Sequence, residues 1–356
     1  MKRIKGLSLF ACTGVGEYLL HENNIDIVVA NELIENRANF YRNNYPESDM
    51  ITGDITDKKV FKKVLESAKE KNVEFIIASP PCQGFSRAGK MNQEDPRNKL
   101  IFEVFNMINE LNPKFIIIEN VPEFIKSYFF YQGKEILITE LITNLYGNDY
   151  NIEYDVKDAS DYGTPQNRKR SFVLMSRKDT FNWNFPEYTL EKINVEQAIG
   201  HLPSLESEED SGIPFHKAKK HNDRHILFMK HTPSGKTAFD NEIYYPKKED
   251  GTRIKGFKTT YKRMSWDKPA PTITMANGSI SSQNNVHPGR LLEDGTYSDA
   301  RVLTLLELII LTGLDEKWKI PENASENLVR IALGECIPPK LIFHLTKPIK
   351  EYLKSI

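Results

Sequence analysis

Residues Phe75–Ser86 read FIIASPPCQGFS. The apolar run Phe75-Ile76-Ile77-Ala78 has the length and composition of a buried strand. Pro80-Pro81 ends it, because proline fixes φ and donates no ladder hydrogen bond. Cys82 is therefore presented at the carboxyl edge of a strand. The usual fate of a free cysteine is that of a small buried hydrophobe. The run that follows, QGFSRAGKMNQEDPRN over 83–98, is polar, basic and glycine-containing, and so reads as an exposed lid over a nucleophile.

Neighbouring segments repeat the pattern. IKGLSLF, IDIVVAN, VEFIIAS and KFIIIEN read as strands, and ELIENRANFYRNNY, DKKVFKKVLESAKEKN and NKLIFEVFNMINEL as helices between them. Continuous apolar strands alternating with helices predict a doubly wound α/β domain with a mostly parallel sheet, Rossmann-like, covered on both faces. Ligands of such sheets sit at the carboxyl ends of the strands.

Those ends carry chemistry. Gly14 and Gly16 follow the first strand, where glycine lets a backbone approach a ligand. Glu32 follows the second and is suited to ribose hydroxyls. Asp54 follows a candidate third strand and is suited to an adenine amino group. Each acid alone could be a helix cap or a turn residue; three on successive strand ends point to an adenosine cofactor. Glu119 ends the strand IIIEN. Arg168 and Arg170, two apart in QNRKR, would lie on one face of a strand and offer forked donors to a carbonyl oxygen or a phosphate.

The chain has 356 residues and a formal net charge of −1. Residues 213–290 carry +9 of excess charge, which leaves −10 on the rest. A block so polarised predicts a face for a polyanion, against the alternative of a solvated basic surface. The same region is rich in turn formers, and short β segments with long loops are expected there. The expected division is 1–189 for catalysis and cofactor, 190–297 for a smaller β- and loop-rich domain, and 298–356 for C-terminal helices returning to the first. Three cysteines without metal-ligand spacing argue against disulfides and zinc and for a reducing cytoplasm. His221 and His225, four apart with His216 and His231 around them, lack the H-E-x-x-H frame, and no metal is expected. No apolar run reaches the roughly 18–20 residues of a membrane span.

LFACTGVGE, NEL, GDI, PPCQGFS, ENV, QNRKR, a long variable stretch, RVLTLLELIILTG and GECIPP occur in that order. In this the chain resembles the bacterial DNA (cytosine-5) methyltransferases of restriction-modification systems. It departs from the family pattern at Cys12, where glycine is usual, and at Gly334-Glu335, where Gly-Asn is usual. The resemblance implies S-adenosylmethionine as methyl donor, giving S-adenosylhomocysteine. The cofactor would lie against Phe10, Gly14, Gly16, Glu32, Leu33, Asp54, Ile55, Pro81 and Leu100. It implies Cys82 as nucleophile on cytosine C6, Glu119 at N3, Arg170 with Arg168 at O2, and a cytosine flipped from duplex DNA. Residues 190–297 would then recognise the target. Ser86, Arg87, Arg253, Lys255, Lys258, Lys262, Arg263, Asn277 and Arg290 are the expected DNA contacts, with 275–290 as the base-reading stretch. A monomer in the cytoplasm, on nucleoid DNA and functionally paired with a restriction endonuclease, is the implied setting. The rival readings are a tRNA cytosine-5 methyltransferase of the same fold and a non-catalytic DNA-binding relative.

Overall fold

The computed structural model describes residues 2–81, 100–315 and 317–356. It divides into two compact units. The first comprises Met1–Asp158, Lys169–Thr189 and Pro339–Ile356, the second Ala159–Arg168 and Leu190–Pro338.

In the first unit the strands are β1 (Ile4–Leu9), β2 (Ile25–Glu32), β3 (Asp49–Thr52), β4 (Phe75–Ala78), β5 (Phe115–Asn120), β6 (Tyr128–Tyr131), β7 (Lys134–Leu137), β8 (Tyr150–Asp158) and β9 (Lys169–Arg177). Seven of them form one sheet in the order β3-β2-β1-β4-β5-β9-β8, and β6 and β7 form a separate hairpin. β1 to β5 pair in parallel, while β9 runs antiparallel to both β5 and β8. The chain winds from β1 toward β3, then from β4 toward β5, so the order reverses between β1 and β4. That is where a doubly wound sheet opens a crevice at its carboxyl edge.

The helices α1 (Glu35–Asn44), α2 (Lys58–Glu70), α3 (Leu100–Leu111) and α4 (Ile138–Tyr146) cover this sheet. α2 starts where the Asp57 carboxylate accepts from Lys59 N–H at 2.7 Å, and it turns Val64 and Ala68 inward. Phe115 to Ile118 of β5 are at most 1% exposed, as expected for a central strand covered on both faces. Burial of each such side chain contributes about 1.5–3 kcal/mol.

The second unit is built otherwise. Its helices are α5 (Val195–Ile199), α6 (Asp223–Lys230), α7 (Leu305–Thr312) and α8 (Glu326–Glu335). The short β segments expected there are present only as isolated bridges among the described residues, such as Thr237–Lys262 and Val286–Val302. Pro233, Pro246, Pro269, Pro271 and Pro288 interrupt any ladder that would extend them. The apolar cluster is small: Phe228, Met229, Ala238, Ile280, Val286, Ala300 and Val302. Buried arginines do much of the joining. Arg263 donates to the carbonyls of Met229, His287, Asp299 and Ser298. Arg301 holds Glu307 through both terminal nitrogens and reaches Asp299 at 2.8 Å.

α9 (Pro339–Ser355) belongs to the first unit. Asn23 donates to Phe343 O and to Thr346 Oγ1, and Trp183 Nε1 donates to Leu345 O. Tyr352 packs against Phe115 and Phe181. The expected block 298–356 is therefore divided: α7 and α8 fold with the second unit, and α9 alone with the first.

Candidate active site

Three adjacent strand ends form the first part of the site. After β1 the backbone enters the left-handed region at Phe10 (φ 60), Cys12 (φ 51) and Gly14 (φ 79). Cys12 thus keeps the conformation that favours glycine at this position. Cys12 N–H and Ile34 N–H each donate to the buried Glu32 carboxylate at 2.9 Å, which closes the turn onto the end of β2. Asn31 donates from the same strand to the carbonyls of Ile51 and Gly53, fixing the end of β3. The Asp54 side chain is exposed and caps Thr56. Leu33 is 61% exposed beside Glu32. Ile55 differs from its expected place: it is 3% exposed and packs in the sheet's main core. Phe10, Gly16, Pro81 and Leu100 are partly exposed.

The turn is also clamped from α1. Tyr45 donates to Gly14 O at 2.7 Å, and a Cβ on Gly14 would lie 2.3 Å from the Tyr45 ring. Behind it Glu17 is buried and accepts from Tyr41 OH. Burial pushes its carboxyl up to about 7, against the opposing bonds from Ser8 and Tyr41. A single acid in an otherwise apolar stretch was the only sequence signal for it.

The ends of β4, β5 and β9 form the second part. Glu119 faces Phe172 across the β5–β9 pair, and the Arg170 guanidinium meets its carboxylate at 2.9 Å. Both side chains are largely shielded, at 8% and 16% exposure. Asn120 donates to Pro80 O at 3.0 Å, so the Pro-Pro turn is tied to the residue that follows Glu119. Its Oδ1 accepts from Val121 N–H, and Ser171 donates to Val121 O. The function of Asn120 was not read from the sequence, although it adjoins Glu119. Cys82, Ser86 and Arg87 lie outside the described residues.

Other expected site residues are placed differently. Arg168 lies in the second unit, 2% exposed, and donates to Ile273 O and Gly334 O at 2.8 and 2.9 Å. It ties the chain to the GECIPP segment, and its position one residue before β9 does not make it a companion of Arg170. Gly334 is itself constrained, since a Cβ there would lie 2.4 Å from Thr274 O. Arg263 and Asn277 are fully buried and bonded to backbone carbonyls, so neither is a DNA contact as expected. Asn285 and His287 are buried as well, which removes much of the 275–290 stretch from the surface. Lys255 and Lys258 are exposed and Lys262 partly so. Arg290 pairs with Glu196 at 2.7 Å and stacks over Trp266.

The histidines are each engaged separately. His216 bonds Thr304 and Pro203 O, His221 accepts from Val302 N–H, His225 meets Tyr261 OH, and His231 stacks on Tyr244.

A doubly wound sheet with an antiparallel β9 between β5 and β8, and a carboxylate at the end of β2, defines a methyltransferase fold. A solved E. coli prophage-encoded structure, assigned as a DNA modification methyltransferase, shares it with a TM-score of 0.72 at 20% identity, over 99% of each chain. The pattern for C-5 cytosine-specific DNA methylases matches residues 4–351, and the chain belongs to that family. It is 50% identical over 353 residues to the Type II methyltransferase M1.HgaI of Avibacterium volantium, covering 98% of both chains. It is 30% identical to the Type II methyltransferase M1.HphI of Haemophilus parahaemolyticus over 85% of this chain and 74% of that one. The protein is a DNA (cytosine-5) methyltransferase. Among the described residues, no helix is long and apolar enough to cross a membrane.

Proposed function

We propose that this enzyme methylates C5 of a cytosine flipped out of a specific duplex site, through a covalent bond between Cys82 and C6, with S-adenosylmethionine as donor. The observation that carries the reading is the Glu119–Arg170 pair at the sheet edge, with the turn before Cys82 bonded to Asn120.

The donor set of the first three strand ends suits the cofactor: an exposed acid at Asp54, a buried acid at Glu32 and an apolar surface at Leu33. Each Glu32 oxygen already accepts one amide and keeps a lone pair for a ribose hydroxyl. S-adenosylmethionine supplies the electrophilic methyl when bound.

Cytosine C5 is too weak a nucleophile to take that methyl unaided. Addition of the Cys82 thiolate to C6 makes the ring an enamine. Glu119, delivering a proton to N3, neutralises the charge that builds as sulfur adds. Arg170 holds the Glu119 carboxylate in place and offers its remaining donors to O2. After C5 takes the methyl, its proton leaves to a base, the C6–sulfur bond breaks, the thiolate is restored and N3 returns its proton to Glu119. Orientation of the thiol by a rigid turn is worth up to about 7–11 kcal/mol in well-aligned systems.

The Type II designation of the relatives supports a functional pairing with a restriction endonuclease that cuts the same site, without stable contact. A monomer acting on cytoplasmic DNA suffices for this chemistry.

A duplex pool carrying 5-fluorocytosine tests the reading, because fluorine cannot leave as the C5 proton does. The wild type is expected to form an adduct that survives denaturation in the presence of donor, and Cys82→Ser none. Turnover by Cys82→Ser near the wild-type rate would overturn the mechanism.

A further inference from the structure

Outside its buried scaffold, the second unit carries a short two-stranded ribbon over residues 246–254. Lys247 and Arg253 form an antiparallel bridge. Ile254 N–H donates to Pro246 O at 3.0 Å, Lys248 N–H to Thr252 O at 2.9 Å, and Gly251 N–H to Lys248 O at 3.1 Å. Gly251 turns the tip at φ 84, and the Asp250 carboxylate accepts from Thr252 N–H.

A hairpin of this size has no core of its own and is marginal in isolation. Here its base is tied to the unit. Arg253 donates to Phe239 O at 2.7 Å and to Asn241 O at 3.1 Å, and its guanidinium lies 3.5 Å from the Tyr245 ring centre. Asn241 donates to Tyr244 O, and Arg224 to Lys247 O. The chain then passes over the Phe239 ring at Gly256, where a Cβ would lie 2.2 Å from Phe239 Cζ. Arg253, expected among the phosphate contacts, is thus the ribbon's anchor.

Beyond the anchor everything is open. Residues 247–258 are all exposed, Phe257 at 76%, and Ile243 nearby at 73%. Lys247, Lys248, Lys255 and Lys258 outnumber Glu249 and Asp250. Alternation along the ribbon sets Lys248, Thr252 and Ile254 on the face opposite Arg253. An anchored ribbon with Lys247 and Lys248 on it, Lys255 and Lys258 after it and exposed apolar side chains at Ile254 and Phe257 fits the B-DNA major groove, which is about 12 Å wide and admits two strands.

We infer that the ribbon 246–254, with Phe257 beside it, enters the major groove of the target duplex and helps decide which site is methylated. Lys248 and Thr252 hydrogen-bond base edges, and Phe257 packs on a pyrimidine ring edge or thymine methyl. This rests on reading the second unit as the target-recognition domain, and it moves the base readers away from 275–290.

The test is methyl transfer to a pool of randomised duplexes, followed by sequencing of the methylated strands. Wild type, Lys248→Ala with Thr252→Ala, and Phe257→Ala are compared, together with the calorimetric transition of the second unit as a check on folding. The expected result is that wild type selects one site and each variant accepts single mismatches 10-fold or more better, with that transition unchanged. If the variants lose activity on all duplexes equally and keep the same preference, the ribbon contacts phosphates only and the inference fails. Unchanged rate and preference would also overturn it. If wild type methylates no duplex, it is the reading of function that fails, a different outcome from either.

Discussion

β5 and Arg301 show two ways of holding a protein together. In the first unit, β5 puts Phe115, Ile116, Ile117 and Ile118 into an apolar core, and the carboxylate of its end residue Glu119 meets the Arg170 guanidinium. In the second, Arg301 sits fully buried between Glu307 and Asp299, while Arg263 gathers carbonyls from the end of α6 and from the loops at His287 and Ser298. A regular sheet fixes strand ends to the tolerance that bond-making chemistry needs. A scaffold of buried arginines fixes the bases of loops and leaves their tips free to differ. The difference gives the proposed division its physical reason: chemistry on the sheet of the first unit and recognition on the loops of the second.

The largest effect should come from breaking the ionic scaffold. Arg301→Ala leaves Glu307 and Asp299 buried without their cation, a loss of about 3–5 kcal/mol. Calorimetry should show the second unit's transition fall while S-adenosylhomocysteine still binds the first. Joint loss of both would mean that the units are not separable in this way.

In the sheet, Ile117→Ala removes packed carbons from one of the two covered faces of β5 and should cost about 2–5 kcal/mol. Denaturant melts followed by tryptophan emission, to which buried Trp183 contributes, report it. A cost under about 1 kcal/mol would show that β5 is less tightly packed than its burial implies.

Acid should separate the units more gently. Glu17 has a folded pKa raised to about 7 by burial, so its contribution is full below about 4.5 and lost as pH rises through 7. His287 is lowered to about 4, first by burial and also by Arg301 and Arg263, against the pull of Glu307 and Asp299. Its contribution is present above 6.5 and lost as pH falls through 4. Between pH 7 and 4.5, acidification therefore favours the β1 turn and disfavours the second unit, at about 1.4 kcal/mol per tenfold change in proton affinity. Amide exchange corrected for intrinsic rate should show opposite trends, and Glu17→Gln should flatten the first. Parallel trends would contradict both assignments.

The smallest stability effect is expected at Asn120. Asn120→Ala removes the bond to Pro80 O and the one accepted from Val121 N–H, about 1 kcal/mol each. A misplaced turn before Cys82 should nevertheless lower kcat by about 10–100-fold with KM for the donor unchanged. An unchanged kcat would mean that the turn needs no tie.

β1, β2, β4 and β5 were legible because runs such as Phe75–Ala78 and Phe115–Ile118 are continuously apolar, and no distant contact is needed to read them; β6, β7 and β8, whose residues are mixed polar and apolar, were not read. The positions of Glu32, Glu119 and Arg170 at strand ends followed from that. Arg263, Asn277 and Arg168 were misread because a guanidinium that gathers buried carbonyls and one that meets phosphate look alike in sequence. Only the long-range partners, Ser298 O for Arg263 and Gly334 O for Arg168, separate them. Proline-broken bridges concealed the second unit's architecture for the same reason. By contrast, the T-x-x-E capping box at Thr304 and Glu307 is a local signal, and it begins α7.

The most direct test of the proposed division of labour exchanges residues 190–338 for the corresponding segment of a family member with a different target. Methylated sites are then sequenced from a randomised duplex pool. The account predicts that the chimera methylates cytosine within the donor segment's target, at C5 and with Cys82 still required. A folded, active chimera that kept this chain's own target would contradict it.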